Sequence, residues 1–425
     1  MMIYCSGIGG IGLSAFAAFR RSQGHTVLGS DRSESALIAD LRSQGIEVFL
    51  SQDGTKIPPG ADLYVYSEAL AEESPERVRA RALGIPSVSY FQALGDLTQG
   101  SQLIAVCGTH GKSSTTAMAA KMLMDAGKDP SVIVGTKLRE LTARNWRRGE
   151  SGLFLVEACE YRRSFLSLSP KIILLTNADG DHFDYYASQD DYERAFIEFV
   201  SKLPEDGVLI THMTDPQCAR IAQKSGKKFV DADALPMPSL SVPGVHMRKN
   251  AQLVSALAHH LGIPGQTVLE ALRSYMGCWR RMEVRGTRSD GVTVIDDYGH
   301  HPTEIRATIQ AMREAYPDRR LVVVFQPHTH DRTLKLYREF SGAFDGADIV
   351  IIPGIYDARR ERDSGTVEVP RFVADIARES GVTALDGVSL AHTEGLLTTM
   401  LQPQDVLLVM GAGDVTELAG RMLEA

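Results

Sequence analysis

A short apolar run, Leu103 to Val106, passes through Cys107-Gly108-Thr109-His110-Gly111-Lys112-Ser113-Ser114 into a helix-like segment from Thr115 to Ala126. Strand, glycine turn and helix in that order restrict the fold, because the turn aims backbone amides at one point and the helix dipole faces the same point. An anion fits there. With a nucleotide in place, Lys112 would lie on the β- and γ-phosphates and the Ser113 hydroxyl on Mg²⁺. The match to the general phosphate-loop pattern is incomplete, since Val106 stands where that pattern has its leading glycine, and a lone Gly-Lys-Ser also occurs in solvated turns.

A second glycine turn lies at the start of the chain. The strand Ile3 to Cys5 leads into Gly7-Ile8-Gly9-Gly10-Ile11-Gly12 and an apolar helix from Leu13 to Arg20, and the next strand ends in Asp31, at the spacing of a ribose contact. Read alone, this suggests a nicotinamide or flavin enzyme. Any nucleotide diphosphate can use such a turn, however, and the glycines could also serve only to pack a helix closely on a strand.

The alternation continues with helices at Ala36–Gln44 and Pro75–Ala82 and strands at Ile46–Val48, Leu63–Tyr66 and around Val88. This βαβ rhythm calls for mostly parallel sheets. Thr98 to Gln102 is polar and marks a first boundary. Beyond it, the strand Leu153–Val156 ends in Glu157, and Ile172–Asn177 delivers Asn177, Asp179, Asp181, His182 and Asp184 to the same edge. Any one of these acids can be a turn cap; together with the phosphate loop they suggest a shared metal site. A strand at Val208–Thr211 extends the sheet, and Pro243 to Asn250 leads a helix from Ala251 to Leu261, where His246 and Asn250 could be caps. A third unit has strands at Val292–Ile295, Leu321–Phe325, Ile349–Ile352 and Val406–Met410, each ending in a polar or glycine-rich loop. The adjacent His300 and His301 suit hydrogen bonding better than metal, for want of a third ligand at helical spacing.

At 425 residues the chain has room for two to four domains. Its formal charge of −8 gives no footprint for nucleic acid or an anionic membrane, so phosphate chemistry must come from local sites. The N-terminus has no signal-peptide pattern, and the five cysteines are scattered without C-x-x-C spacing, so a cytoplasmic location is expected.

Eight strings in order resemble the three-domain Mur ligases of peptidoglycan synthesis: GIGGIG at 7–12, GTHGKSSTT at 108–116, EACEYRRSFL at 157–166, TNADGDHFDYY at 176–186, PGVHMRKNA at 243–251, DDYGHHPTEI at 296–305, FQPHTHDRT at 325–333 and MGAGD at 410–414. The resemblance spans almost the whole chain. It implies an α/β protein of three domains: a Rossmann-like UDP-sugar domain at residues 1–99, a central phosphate-loop ATPase-like domain at 100–282, and a Rossmann-like domain at 283–425 that completes the ATP and amino-acid sites. The shorter G-T-x-G-K-[ST] loop is then a family trait.

The implied reaction is ATP-dependent joining of L-alanine to the lactyl carboxylate of UDP-N-acetylmuramate through an acyl phosphate, by a monomer or weak homodimer. A murein-tripeptide recycling ligase is the alternative. By the same resemblance, Gly108, Thr109, His110, Gly111, Lys112, Ser113 and Ser114 cradle ATP phosphates, and Ser113 with Glu157 holds one Mg²⁺. His182 ligates a second metal. Asn250, Asp297 and Tyr298 contact adenosine, His328 and Arg332 orient the amino acid, and Gly7, Gly9, Gly10, Gly12 and Asp31 hold the UDP-sugar. Some positions depart from the family pattern: Ser113 and Ser114 replace threonines, Met247 an asparagine and Thr329 an arginine. No lysine follows His182 where relatives carry a carbamylated one; Phe196 and Ile197 lie near that place.

Overall fold

A computed structural model describes residues 1–182, 185–356 and 365–424. Asp184, one of the acids expected near the phosphate loop, lies outside the described residues.

The first sheet contains β1 (Met2–Ser6), β2 (Thr26–Ser30), β3 (Glu47–Phe49), β4 (Leu63–Tyr66) and β5 (Ser87–Ser89), in the order β3-β2-β1-β4-β5 and parallel throughout. The strand order reverses at β1, and the glycine turn leaves from its C-terminal end, where α/β sheets bind ligands. The second sheet contains β6 (Gln102–Cys107), β7 (Ser131–Leu138), β8 (Arg144–Arg147), β9 (Leu153–Glu157), β10 (Ile172–Leu175), β11 (Val208–Thr211) and β12 (Phe229–Asp231). Its order is β12-β11-β10-β6-β9-β7-β8, with only the β7–β8 pair antiparallel. The central strand β6 therefore feeds the phosphate loop between β10 and β9, whose ends carry the other candidate residues.

Helix Ile11–Ser22 joins these two sheets into one compact unit, Met1–Ser239 with Lys249–Tyr275. Leu13, Phe16, Ala17 and Ala18 pack on the first sheet, while Ala15 and Phe19 enter the core of the second. That is why the helix is apolar nearly all round instead of on one stripe. Phe19 meets Phe154 with ring centroids 5.3 Å apart, and Asn145 Nδ2 donates to Ile11 O at 2.6 Å.

The second compact unit comprises Leu240–Arg248 and Met276–Ala425. Its sheet contains β13 (Glu283–Thr287), β14 (Thr293–Asp297), β15 (Leu321–Phe325), β16 (Ile349–Ile352), β17 (Thr383–Asp386) and β18 (Val406–Met410), ordered β13-β14-β18-β15-β16-β17. Only β13 runs antiparallel. Residues 276–282, assigned above to the central domain, group with this unit. The reason is local bonding, since Arg280 Nη2 donates to Gly411 O at 2.5 Å and Met282 N to Asp297 Oδ2 at 2.8 Å.

Helix Val245–His260 begins six residues before the expected Ala251, so Asn250 lies within it and is no cap. Gly244, at φ +102°, makes the entry, and its carbonyl accepts the first bond from Arg248 N at 3.2 Å. His301 does cap helix Pro302–Ala315: its Nδ1 accepts from Thr303 N, while Glu304 accepts from the amides of His300 and His301. All five cysteines are free thiols, and no helix among the described residues is long and apolar enough to cross a membrane.

Candidate active site

Helix Lys112–Asp125 starts directly on the phosphate loop, with Gly111 as its N-cap at φ +78°. A left-handed residue here leaves the first amides of the helix pointing outward. A methyl group on Gly111 would also stand 2.7 Å from Asn250 Oδ1, so the loop and the Asn250 side chain are in close approach. The loop is clasped from the β10 side. His110 N donates to Asn177 Oδ1 at 2.9 Å, Thr176 Oγ1 to His110 O at 2.6 Å, and Thr109 Oγ1 to Asp179 O at 2.5 Å. Thus the loop that follows β10 fixes the shape of the loop that follows β6.

From the β9 side comes Glu157. Its Oε1 accepts from Ser113 Oγ at 3.0 Å and its Oε2 from Gly135 N at 2.8 Å. A hydroxyl beside a carboxylate is a pair of hard oxygen donors, which fits a small divalent cation such as Mg²⁺. Three residues further on, Glu160 is buried with 1% exposure and contacts two basic side chains. Its Oε2 is 2.9 Å from Lys112 Nζ, and its Oε1 is 3.4 Å from His182 Nε2. Burial raises the Glu160 carboxyl, but Lys112 and His182 outweigh it and hold it below the usual range. Burial likewise lowers Lys112, and Glu160 overcomes that to bring it up to about 12. The remaining donors of Lys112 go to Gly108 O at 2.5 Å and Thr109 O at 2.9 Å.

His182 has a left-handed backbone at φ +55° and its ring lies 4.7 Å from that of Tyr161. Among the described residues no three His, Cys, Asp or Glu side chains gather as a metal cluster. Phe196, near the place of the carbamylated lysine in relatives, is fully buried against Phe165 and Tyr192.

At the first sheet, Asp31 turns onto the glycine turn, with Oδ2 accepting from Gly9 N at 2.8 Å and Oδ1 from Arg32 N at 2.7 Å. The glycine is needed, because a methyl group at Gly9 would stand 2.8 Å from that same Oδ2. Sequence reasoning missed Glu76, whose fully buried carboxylate accepts from the hydroxyls of Tyr4, Ser6 and Ser30. It lines a cleft of about 320 Å³ with Arg32, Gln52 and Leu70. In the second unit, both Asp297 oxygens take backbone amides, Oδ1 from Gly299 and Oδ2 from Met282. Tyr298 lies under the guanidinium groups of Arg280 and Arg281, each 5.1 Å from its ring centre. The His328 ring stacks on Tyr356 with centroids 5.7 Å apart, and Arg332 sits in the first turn of helix His330–Lys335, its amide on the Thr329 hydroxyl at 3.4 Å.

The chain matches the Mur ligase family catalytic domain over residues 2–102, the Mur ligase middle domain over 106–235 and the Mur ligase glutamate ligase domain over 280–413. It is 36% identical over 444 residues to the UDP-N-acetylmuramate–L-alanine ligase of Persephonella marina, covering 99% of this chain and 96% of that protein. The chain belongs to the Mur ligase family. The corresponding enzyme of Clostridium novyi is 35% identical to this Mur ligase, over 100% of the chain and 97% of the relative. The crystal structure of UDP-N-acetylmuramate–alanine ligase from Thermotoga maritima superposes with a TM-score of 0.83 at 30% identity, covering 100% of this chain and 98% of that one. A murein peptide ligase from Psychrobacter arcticus, at a TM-score of 0.75 and 22% identity, shares the fold.

Proposed function

We propose that this Mur ligase joins L-alanine to the lactyl carboxylate of UDP-N-acetylmuramate at the expense of ATP, in the cytoplasm. The observation that carries the reading is the convergence of Lys112, Ser113 and Glu157 at the ends of adjacent parallel strands, in a chain alike over its full length to ligases of that name. The larger alanine-ligase likeness, 30% identity against 22%, favours it over the recycling ligase.

A carboxylate is a poor electrophile, so an amide cannot form from it directly at neutral pH. One carboxylate oxygen attacks the γ-phosphorus of ATP and ADP leaves, giving an acyl phosphate. The amine of alanine then attacks the acyl carbon; inorganic phosphate departs and the amine loses a proton. Both steps depend on placing charge, and the loop amides with Lys112 supply fixed positive charge beside the phosphates. Ser113 and Glu157 would hold Mg²⁺, with His182 at a second ion. When bound, the metal would neutralise charge on the phosphate oxygens. Asn250, Asp297 and Tyr298 serve the adenosine, while His328 and Arg332 orient alanine. Residues 1–99 take the UDP-sugar, with its diphosphate on the Gly7–Gly12 turn.

The test is ADP release with UDP-N-acetylmuramate, ATP and Mg²⁺, adding alanine, serine, glycine or the murein tripeptide in turn. Release that needs alanine supports the proposal. Release with tripeptide alone, or with no combination, would sink it.

A further inference from the structure

Lys112 is fully occupied before any nucleotide arrives. An ammonium has three N–H donors, and here they go to Gly108 O, Thr109 O and the Glu160 carboxylate. The Glu160 side chain is 2% exposed, so water cannot replace Lys112 as its partner. Yet the same carboxylate has a second partner within reach, His182 Nε2, at 3.4 Å. From this geometry we infer that Glu160 is a positioning residue that stows Lys112 on the phosphate loop and releases it to incoming phosphates, while it keeps His182 Nε2 as a neighbour. The inference rests on the nucleotide reading above.

A buried charge stripped of every partner is costly, and one that keeps a neighbouring N–H donor is less so. ATP must therefore compete with Glu160 for the ammonium, and the apparent affinity is lowered by that competition. Once Lys112 has moved, Glu160 is left to orient the imidazole beside the reacting groups. Removing the Glu160 charge should then produce a split that general damage would not. Nucleotide binding should tighten, because phosphates become the only strong partner for Lys112, while turnover should fall, because His182 loses its support.

The experiment compares wild type with Glu160→Gln by calorimetric titration with the non-hydrolysable analogue AMP-PNP and Mg²⁺, by melting temperature with and without the analogue, and by steady-state kinetics. Expected for the variant are AMP-PNP binding tighter by about tenfold, a lower melting temperature without ligand, a larger rise on adding it, and both kcat and the KM for ATP reduced. Unchanged or weaker AMP-PNP binding in a folded Glu160→Gln protein overturns the inference. Absence of AMP-PNP binding by the wild type would instead overturn the nucleotide reading. Should Glu160→Gln fail to fold, Lys112→Met with Glu160→Gln removes both charges together. This double variant should melt above either single variant, and melting no higher than both would also overturn the inference.

Discussion

Ser113 Oγ and Glu157 Oε1 lie 3.0 Å apart although 44 residues separate them in the chain. Parallel pairing of β6 with β9, which aligns Val106 with Glu157, brings them together. If the pair holds a divalent cation, Glu157→Gln should lower kcat/KM by about 100-fold or more and raise the Mg²⁺ concentration needed for half-maximal rate. A Mg²⁺ titration of both proteins checks it, and an unchanged Mg²⁺ requirement would remove Glu157 from the metal site.

Lys112→Ala should reduce turnover by about 1,000-fold while UDP-N-acetylmuramate still binds. Calorimetry with the UDP-sugar alone decides the second half. Loss of both would mean that the two nucleotide sites are not independent.

Gly111→Ala forces a side chain into a left-handed backbone and against Asn250 Oδ1. The conformational cost alone is about 1–2 kcal/mol, so a lower melting temperature and weaker AMP-PNP binding are expected. Adding Asn250→Ala removes the contact but not the strain; recovery of the melting temperature should therefore be partial, and its full recovery would show that the contact alone matters.

Gly9→Ala tests the other turn. Its methyl group would collide with Asp31 Oδ2, so UDP-N-acetylmuramate should bind about tenfold more weakly while AMP-PNP affinity stays unchanged. Equal losses for both ligands would contradict the assignment of this turn to the UDP-sugar.

Burial raises the Asp297 carboxyl from an ordinary 3.8 to about 6, against the opposing pull of Arg281 and the amides of Gly299 and Met282, with Glu304 adding to the rise. Because the folded value is above the unfolded one, native protein holds this proton more tightly, and the stabilisation is complete below the unfolded value and is lost as pH rises through about 6. Asp297→Asn cannot titrate. Wild type should therefore lose stability relative to the variant between pH 4 and 7, by on the order of 3 kcal/mol. Melting curves over that range test this, and parallel pH profiles would show that Asp297 is ionised throughout.

Most interior strands were legible because each is an apolar run ending at a turn: β6, β10, β14, β15, β16 and β18 lie where Leu103, Ile172, Val292, Leu321, Ile349 and Val406 announce them. Five strands are not announced in the pattern as read: β8, β12, β13 and β17 are edges, whereas β7 is interior, between β9 and β8, and its run Val132-Ile133-Val134 was passed over. An edge strand is partly solvated, so Glu283-Val284-Arg285-Gly286-Thr287 carries no apolar signal. Glu157 could be found because it terminates such a run. Glu160 could not: a glutamate in a polar loop reads as solvated, and only the fold shows it buried between Lys112 and His182. The family resemblance placed the middle motifs but did not specify which groups hold Lys112 in the absence of phosphate.

The second unit is assembled from two separate pieces of chain, Leu240–Arg248 and Met276–Ala425. Modularity is limited by that arrangement. A fragment starting at Met276 would lack Arg248, which pairs with Glu314 in helix Pro302–Ala315, and Gly244, whose added methyl group would lie 2.9 Å from the Ala311 side chain. A fragment ending at Tyr275 would carry Leu240–Arg248 without the sheet it belongs to. Exchanging this unit between relatives, by a protein engineer or by recombination, therefore requires two segments to travel together, and a single crossover at the apparent domain boundary should yield poorly folded chimaeras.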